Sequence, residues 1–162
     1  RTEFSCGQDD LDRFFHHYAS QNQFKFHLAM NYVAVAGNRV LGFATVTVGA
    51  VERGNLPNAR MRKRLPAYPL PVLRLARLAV DTRARRLGIG KALLRHVLSL
   101  ALEQRDRFGC VGVVTDAKPD ALPFYEAHGF VPFPAALEGL LQGEPTPMFL
   151  SLGAIEQAPV GP

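Results

Sequence analysis

The apolar positions change period several times along the chain. In residues 9–18, Leu11, Phe14, Phe15 and Tyr18 recur at helical spacing and predict an amphipathic helix with one aromatic face. Residues 31–51 read as two strands broken at Gly37-Asn38, a dipeptide that favours a tight hairpin turn. Residues 53–71 combine prolines with a basic cluster and predict an irregular, partly helical surface excursion. Residues 72–81 read as a strand that carries Arg74 and Arg77. Over 90–105, Leu93, Leu94, Val97, Leu98, Ala101 and Leu102 form a broad apolar stripe, the mark of a long helix against a core. Residues 110–115 predict a short buried strand, and 119–128 a second helix. Pro123 suits only the start of that helix, where backbone N–H groups lack intrahelical partners, and Gly129 closes it as a C-terminal cap. Residues 130–133 and 148–152 are the last candidate strands. This order predicts an α/β fold with a mixed sheet flanked by helices, its parallel part carrying the strand–loop–helix units.

Composition narrows the class. The chain has 162 residues, 48% hydrophobic and 20% charged, as expected of one globular domain with a real core. We expect residues 1–156 to form that domain and the Pro- and Gly-rich 157–162 to be a fraying tail. The first residue is Arg1, so an initiator methionine is expected upstream; nothing else in the chain points to secretion. The apolar runs fall far short of the roughly 20 residues that a spanning helix needs. Cys6 and Cys110 form no CxxC pair, and two lone thiols fit a reducing cytoplasm better than a disulfide scaffold. The net charge is +5, densest at Arg60-Met61-Arg62-Lys63-Arg64. Such a surface attracts polyanions such as RNA or nucleotide phosphates; the plainer alternative is a solvated face that only aids solubility.

The candidate chemistry sits where the strand Leu78-Ala79-Val80-Asp81 gives way to Arg85-Arg86-Leu87-Gly88-Ile89-Gly90-Lys91 and then to the long helix. A helix N-terminus offers unpaired N–H groups and the positive end of a dipole. Glycine lets the backbone approach a phosphate, and Arg85, Arg86 and Lys91 add charge, so the turn suits a pyrophosphate. It is not a Walker loop, which would need Gly at Arg85 and Ser or Thr at Ala92. Nor is it a dinucleotide fingerprint, whose third glycine would fall at Leu93.

Arg85-x-x-Gly88-x-Gly90 resembles the Arg/Gln-x-x-Gly-x-Gly/Ala signature of the GNAT superfamily of N-acetyltransferases. Arg77-Leu78-Ala79-Val80-Asp81 is similar to the strand before that signature, and Phe124-Tyr125-Glu126 with Gly129-Phe130 is similar to the family's FYE-x-x-GF segment. The resemblance covers roughly residues 31–133. It implies a mixed, mostly antiparallel sheet with a splayed central strand pair, and acetyl-CoA as cofactor. It also implies that the backbone of Leu78, Ala79 and Val80 holds the pantetheine arm and polarises the thioester. The turn Arg85, Arg86, Leu87, Gly88, Ile89, Gly90 and Lys91 would hold the pyrophosphate, with Phe124 beside the cofactor. Tyr125 matches the general acid, and a phenol of pKa about 10 suits protonation of a leaving thiolate of pKa about 8.5. The other reading of Tyr125 is a core aromatic beside Phe124 and Phe130.

No general base stands out. His16, His17, His27, His96 and His128 are scattered and read as surface or partly packed residues; Glu52 and Asp116 have weaker grounds, and the amine can lose its proton to water. No residues have metal-ligand spacing, so no metal is expected.

A closer resemblance bears on the acceptor. Phe4-Ser5-Cys6-Gly7 with Leu11-Asp12-Arg13-Phe14-Phe15, Pro69-Leu70-Pro71-Val72, and Met148-Phe149-Leu150-Ser151-Leu152 resemble a subgroup that contains the GNAT toxins of bacterial toxin–antitoxin pairs. That resemblance implies a primary amine on aminoacyl-tRNA as acceptor and a ribbon-helix-helix antitoxin as partner. The physical reading agrees in part: a +5 chain with an Arg/Lys cluster could hold tRNA backbone, with Arg74 or Arg77 near the acceptor end. The subgroup often has Gln-Gly in the turn where this chain has Arg86-Leu87 before Gly88. A homodimer is a family expectation. Two alternatives stay open: a housekeeping acetyltransferase for a small amine or a protein amine, and a non-catalytic acetyl-CoA-binding module. An intact turn and Tyr125 argue against the second.

Overall fold

The computed structural model describes residues 3–134 and 143–153, so the expected tail at 157–162 lies outside the described residues. The chain opens with α1 (Asp9–Arg13), which passes into π-helical turns at Phe14–Tyr18 and Gln21–Lys25. There follow β1 (Met30–Ala36), β2 (Arg39–Val51), α2 (Ala59–Arg64) and β3 (Leu70–Val80). Then come α3 (Ile89–Arg107), β4 (Gly112–Ala117), α4 (Leu122–Ala127), β5 (Val131–Pro132) and β6 (Thr146–Ser151). The strands form a six-stranded sheet in the order β1-β2-β3-β4-β6-β5. β1 with β2, β4 with β6, and β5 with β6 are antiparallel. Val111 donates to the Pro71 carbonyl at 2.8 Å and Arg74 pairs with Asp116 at 3.6 Å, so β3 and β4 run the same way. The fold is thus the expected mixed, mostly antiparallel sheet flanked by helices.

The chain divides into two compact units. The first contains Arg1–Thr47 and Leu75–Leu100. Its core gathers Phe4, Cys6, Phe14, Phe15, Ala19, Phe43 and Ala79. Phe15 stacks on Phe43 at 4.5 Å between ring centroids, and Phe4 tilts against Phe15 at 5.0 Å. Here the expected helix over 9–18 is corrected. Only Asp9–Arg13 winds as α-helix, and the Ala19 amide bonds back five residues to Phe14. The wider winding shifts the inward face by one position. Ala19 is therefore buried at 3% exposure, and Tyr18, expected on the apolar face, stands 50% exposed.

The second unit contains Val48–Arg74 and Ala101–Pro162. Leu56, Leu70, Val72, Val114 and Phe149 form its core, with Met61, Leu65 and Phe133 packed against it. The excursion at 53–71 is partly helical, as expected: a 3-10 turn at Arg53–Asn55 and then α2. The Asn58 side chain caps α2 by accepting from the Arg60 and Met61 amides at 2.9 and 3.3 Å. Near α4, Pro123 sits in the first turn and Gly129 has φ +91°, both as the sequence predicts, but residues 119–121 are turns and not helix.

Candidate functional site

In the first unit the end of β3, a turn and the start of α3 make one continuous feature. Ala79 is buried in the aromatic core while Leu78 and Val80 are half-buried. Asp81 ends the strand. Its amide donates to the Leu41 carbonyl of β2 at 2.8 Å, and its side chain is fully buried. That carboxylate accepts from the Arg83 amide at 2.8 Å, from Arg83 Nε at 3.1 Å and from the Ser5 amide at 3.2 Å. The Arg83 bonds outweigh the penalty of burial and hold the Asp81 carboxyl down to about 2. Thr82 N–H returns to the Ser5 carbonyl at 2.9 Å, and Arg85 donates to the Cys6 carbonyl at 3.0 Å. Cys6 N–H is in turn fixed by Asp12 at 2.8 Å. The N-terminal segment is therefore a brace beneath the turn.

The turn itself is exposed from Arg85 to Gly88, with Leu87 at 68% exposure. Arg86 (φ +66°) and Gly88 (φ +80°) both occupy the left-handed region. Glycine adopts that conformation freely at 88, whereas at 86 an arginine carries it. A Cβ built on Gly88 would meet nothing within 4 Å, so the backbone faces open space. Ala92 makes the first helical hydrogen bond of α3, to Gly88 at 3.0 Å. The amides of Ile89, Gly90 and Lys91 precede it and have no intrahelical acceptor. Lys91 is exposed, as are Arg85 and Arg86. The donor set fits a pyrophosphate: free amides at the head of a 19-residue helix, an open glycine and flexible cations.

Tyr125 and Phe124 belong to α4 in the second unit. Tyr125 is 5% exposed, packed between Phe124 and Phe130 at 5.2 and 5.3 Å, and hydrogen-bonded to Thr115 of β4. Burial pushes its phenol up to about 12, against the smaller opposing effect of Thr115. It is a packed aromatic and a protonated phenol at once, so the two sequence readings do not exclude each other. Phe124 is half-buried, with His128 at 4.6 Å.

Arg74 faces Asp116 across an exposed ion pair. The Arg77 guanidinium lies 3.6 Å over the Phe14 ring, and burial lowers its pKa. His16 bonds the Phe4 carbonyl, His128 the Phe124 carbonyl, and His96 packs on Tyr32, so these three have structural partners. Glu52 is exposed. Both cysteines are buried and unpaired, and no metal-binding group exists among the described residues. Among those residues no helix is long and apolar enough to cross a membrane.

Three supporting groups were not anticipated from sequence: Asp81 as a buried anchor, the Ser5 and Cys6 backbone, and Thr115. Asp followed by Thr-Arg does signal a side-chain-capped turn. The partners 76 positions away for Ser5 and 79 for Arg85 leave no local signal.

A model of the acetyltransferase (GNAT) domain matches residues 28–132. A tRNA-acetylating toxin from Mycobacterium tuberculosis is 30% identical over 127 residues, covering 78% of this chain and 75% of that protein. A tyrosine-to-phenylalanine mutant of KacT superposes with a TM-score of 0.84 at 26% identity, over 96% of this chain and 89% of that one. AtaTR bound with acetyl-CoA superposes at 0.75 with 25% identity, over 96% and 88%. This chain belongs to the GNAT family of acetyltransferases and is an acyl-CoA-dependent N-acetyltransferase that moves the acetyl group of acetyl-CoA to a primary amine.

Proposed function

We propose that this enzyme acetylates the α-amine of aminoacyl-tRNA in the cytoplasm, as the toxin of a pair whose partner is a ribbon-helix-helix antitoxin. The likeness to a tRNA-acetylating toxin over 78% of the chain carries the reading. Acetyl-CoA supplies an activated thioester. In this reading the backbone of Leu78, Ala79 and Val80 holds the pantetheine arm and polarises the carbonyl. The amides of Ile89, Gly90 and Lys91, with Arg86 and Lys91 side chains, hold the pyrophosphate, and Phe124 flanks the cofactor. Tyr125 is the general acid. In this reading Thr115 donates to the phenol oxygen, which leaves the phenolic proton for the departing thiolate sulfur. The attacking amine gives its own proton to water, since no buried base has been found among the described histidines. Arg74 is the arginine offered to tRNA, because its exposed pair with Asp116 is weak and exchangeable. Arg77 supports the same strand by packing on Phe14. In this reading residues 1–156 act as one catalytic domain.

The test is CoA release from acetyl-CoA with aminoacyl-tRNA, deacylated tRNA, polyamines and peptides. Turnover on aminoacyl-tRNA is expected, with Tyr125→Phe lowering kcat about 10²–10³-fold and leaving the CoA dissociation constant within about threefold. With the phenol pushed up to about 12, the rate should rise as the amine deprotonates and hold through pH 10. Turnover of polyamines or peptides with none on aminoacyl-tRNA would exclude this acceptor.

A further inference from the structure

The excess charge of the chain is concentrated in one stretch. From 53 to 80 the charged residues are Arg53, Arg60, Arg62, Lys63, Arg64, Arg74 and Arg77, with no Asp or Glu among them. α2 shows how part of that stretch is arranged. Met61 and Leu65, four apart, pack on the second unit's core. Two guanidiniums are committed to backbone: Arg62 donates to the Leu56 carbonyl, and Arg53 to the Leu65 carbonyl at 3.1 Å. These bonds fix both ends of the helix to its flanks. Arg60, Lys63 and Arg64 remain exposed, at positions i, i+3 and i+4 of one helical face. Among the described residues none of these three has an ion-pair partner. Like charges at this spacing repel one another. Four residues beyond Arg64, Tyr68 stands 62% exposed in the segment Pro66-Ala67-Tyr68-Pro69.

We infer that the Arg60–Lys63–Arg64 face of α2 is the surface that binds the phosphate backbone of the tRNA acceptor end, with Tyr68 offered to an unpaired base. This rests on the proposed acceptor. A row of cations without counter-carboxylates matches a polyanion, and the bonded Arg53 and Arg62 preorganise it. An exposed aromatic in a proline-flanked segment, whose backbone freedom is restricted, suits stacking on a single-stranded 3′ end. An acidic protein could use the cations but has no need of the ring.

The experiment measures binding of deacylated tRNA to the full chain by fluorescence anisotropy across a salt series. The probes are wild type, Arg60→Gln/Lys63→Gln/Arg64→Gln, Arg60→Lys/Arg64→Lys, and Tyr68→Ala. The triple glutamine variant should lose about 2–3 from the slope of log affinity against log salt. It should raise KM for aminoacyl-tRNA at least tenfold, while acetyl-CoA affinity stays within twofold and reports an intact fold. The lysine variant should keep the wild-type slope. Tyr68→Ala should weaken tRNA about 5–100-fold, but leave a blunt-ended RNA duplex unaffected. If wild type acetylates aminoacyl-tRNA and the triple variant keeps both slope and KM, the surface assignment is wrong while the proposed acceptor stands. Equal weakening of a blunt duplex by Tyr68→Ala overturns the stacking role. If wild type does not use aminoacyl-tRNA, the acceptor reading fails first. An acidic protein held through the same three cations, with no tRNA binding, overturns the RNA assignment.

Discussion

Asp81 is a charged side chain with no exposed surface, and it is retained because each of its oxygens is engaged. Its folded pKa of about 2 lies below the unfolded value near 3.9. The stabilisation is thus complete above about pH 4 and is lost as pH falls towards 2, and it amounts to about 2 kcal/mol. Asp81→Asn should lower stability by at least that much at pH 7 in urea melts, and should flatten the acid limb between pH 4 and pH 2. An unchanged acid limb would mean the carboxylate is not the anchor. Arg85 makes a different prediction. One N–H of its guanidinium is bonded to the Cys6 carbonyl, so we propose that Arg85 acts more as a brace of the turn than as a source of charge for the ligand. Arg85→Ala should raise the CoA dissociation constant with an unchanged salt slope, while Lys91→Ala should reduce the slope by about 1. A reduced slope for Arg85→Ala would assign its charge to the phosphates. Tyr125 was legible from sequence as a residue type in a motif; its protonation state was not, because that depends on burial by Phe124 and Phe130.

At the scale of elements, the seat of α3 matters most. A Cβ on Gly42 of β2 would come 2.8 Å from the Ala79 carbonyl and 3.0 Å from both Ile89 and Leu93. β2, the end of β3 and the first turn of α3 therefore meet with no room for a methyl group. Gly42→Ala should cost about 1–3 kcal/mol and weaken acetyl-CoA binding at the same time, both read by calorimetry. Unchanged binding in a destabilised protein would separate the seat from the phosphate turn. The hairpin, β3, α3 and the capped α4 were all legible, since each carries its own period or its own breaker. The first helix was not fully legible. Leu11, Phe14, Phe15 and Tyr18 assume an α-helical period, and the π winding that brings Phe14, Phe15 and Ala19 inward is chosen by the rings of Phe4 and Phe43.

On the scale of the whole molecule, a ligand that binds only the folded chain stabilises it by mass action. Acetyl-CoA at 100 times its dissociation constant should add about 2.7 kcal/mol, or roughly 5–10 °C in Tm for a chain of this size. A scanning-calorimetry series against acetyl-CoA checks this, and no shift at saturation would contradict the assignment of the turn. By itself the sequence determined the family and the acetyl donor. The proposed donor site is built from contiguous segments, strand, turn and helix start, whose residue types and spacing are local properties of the chain. Tertiary structure alone decided which charges are available. Arg85, Arg77, Arg53 and Arg62 are committed to partners, whereas Arg60, Lys63 and Arg64 face solvent. A guanidinium's partner is set by distance in space, and Cys6 comes within 3.0 Å of Arg85 only when the chain has folded.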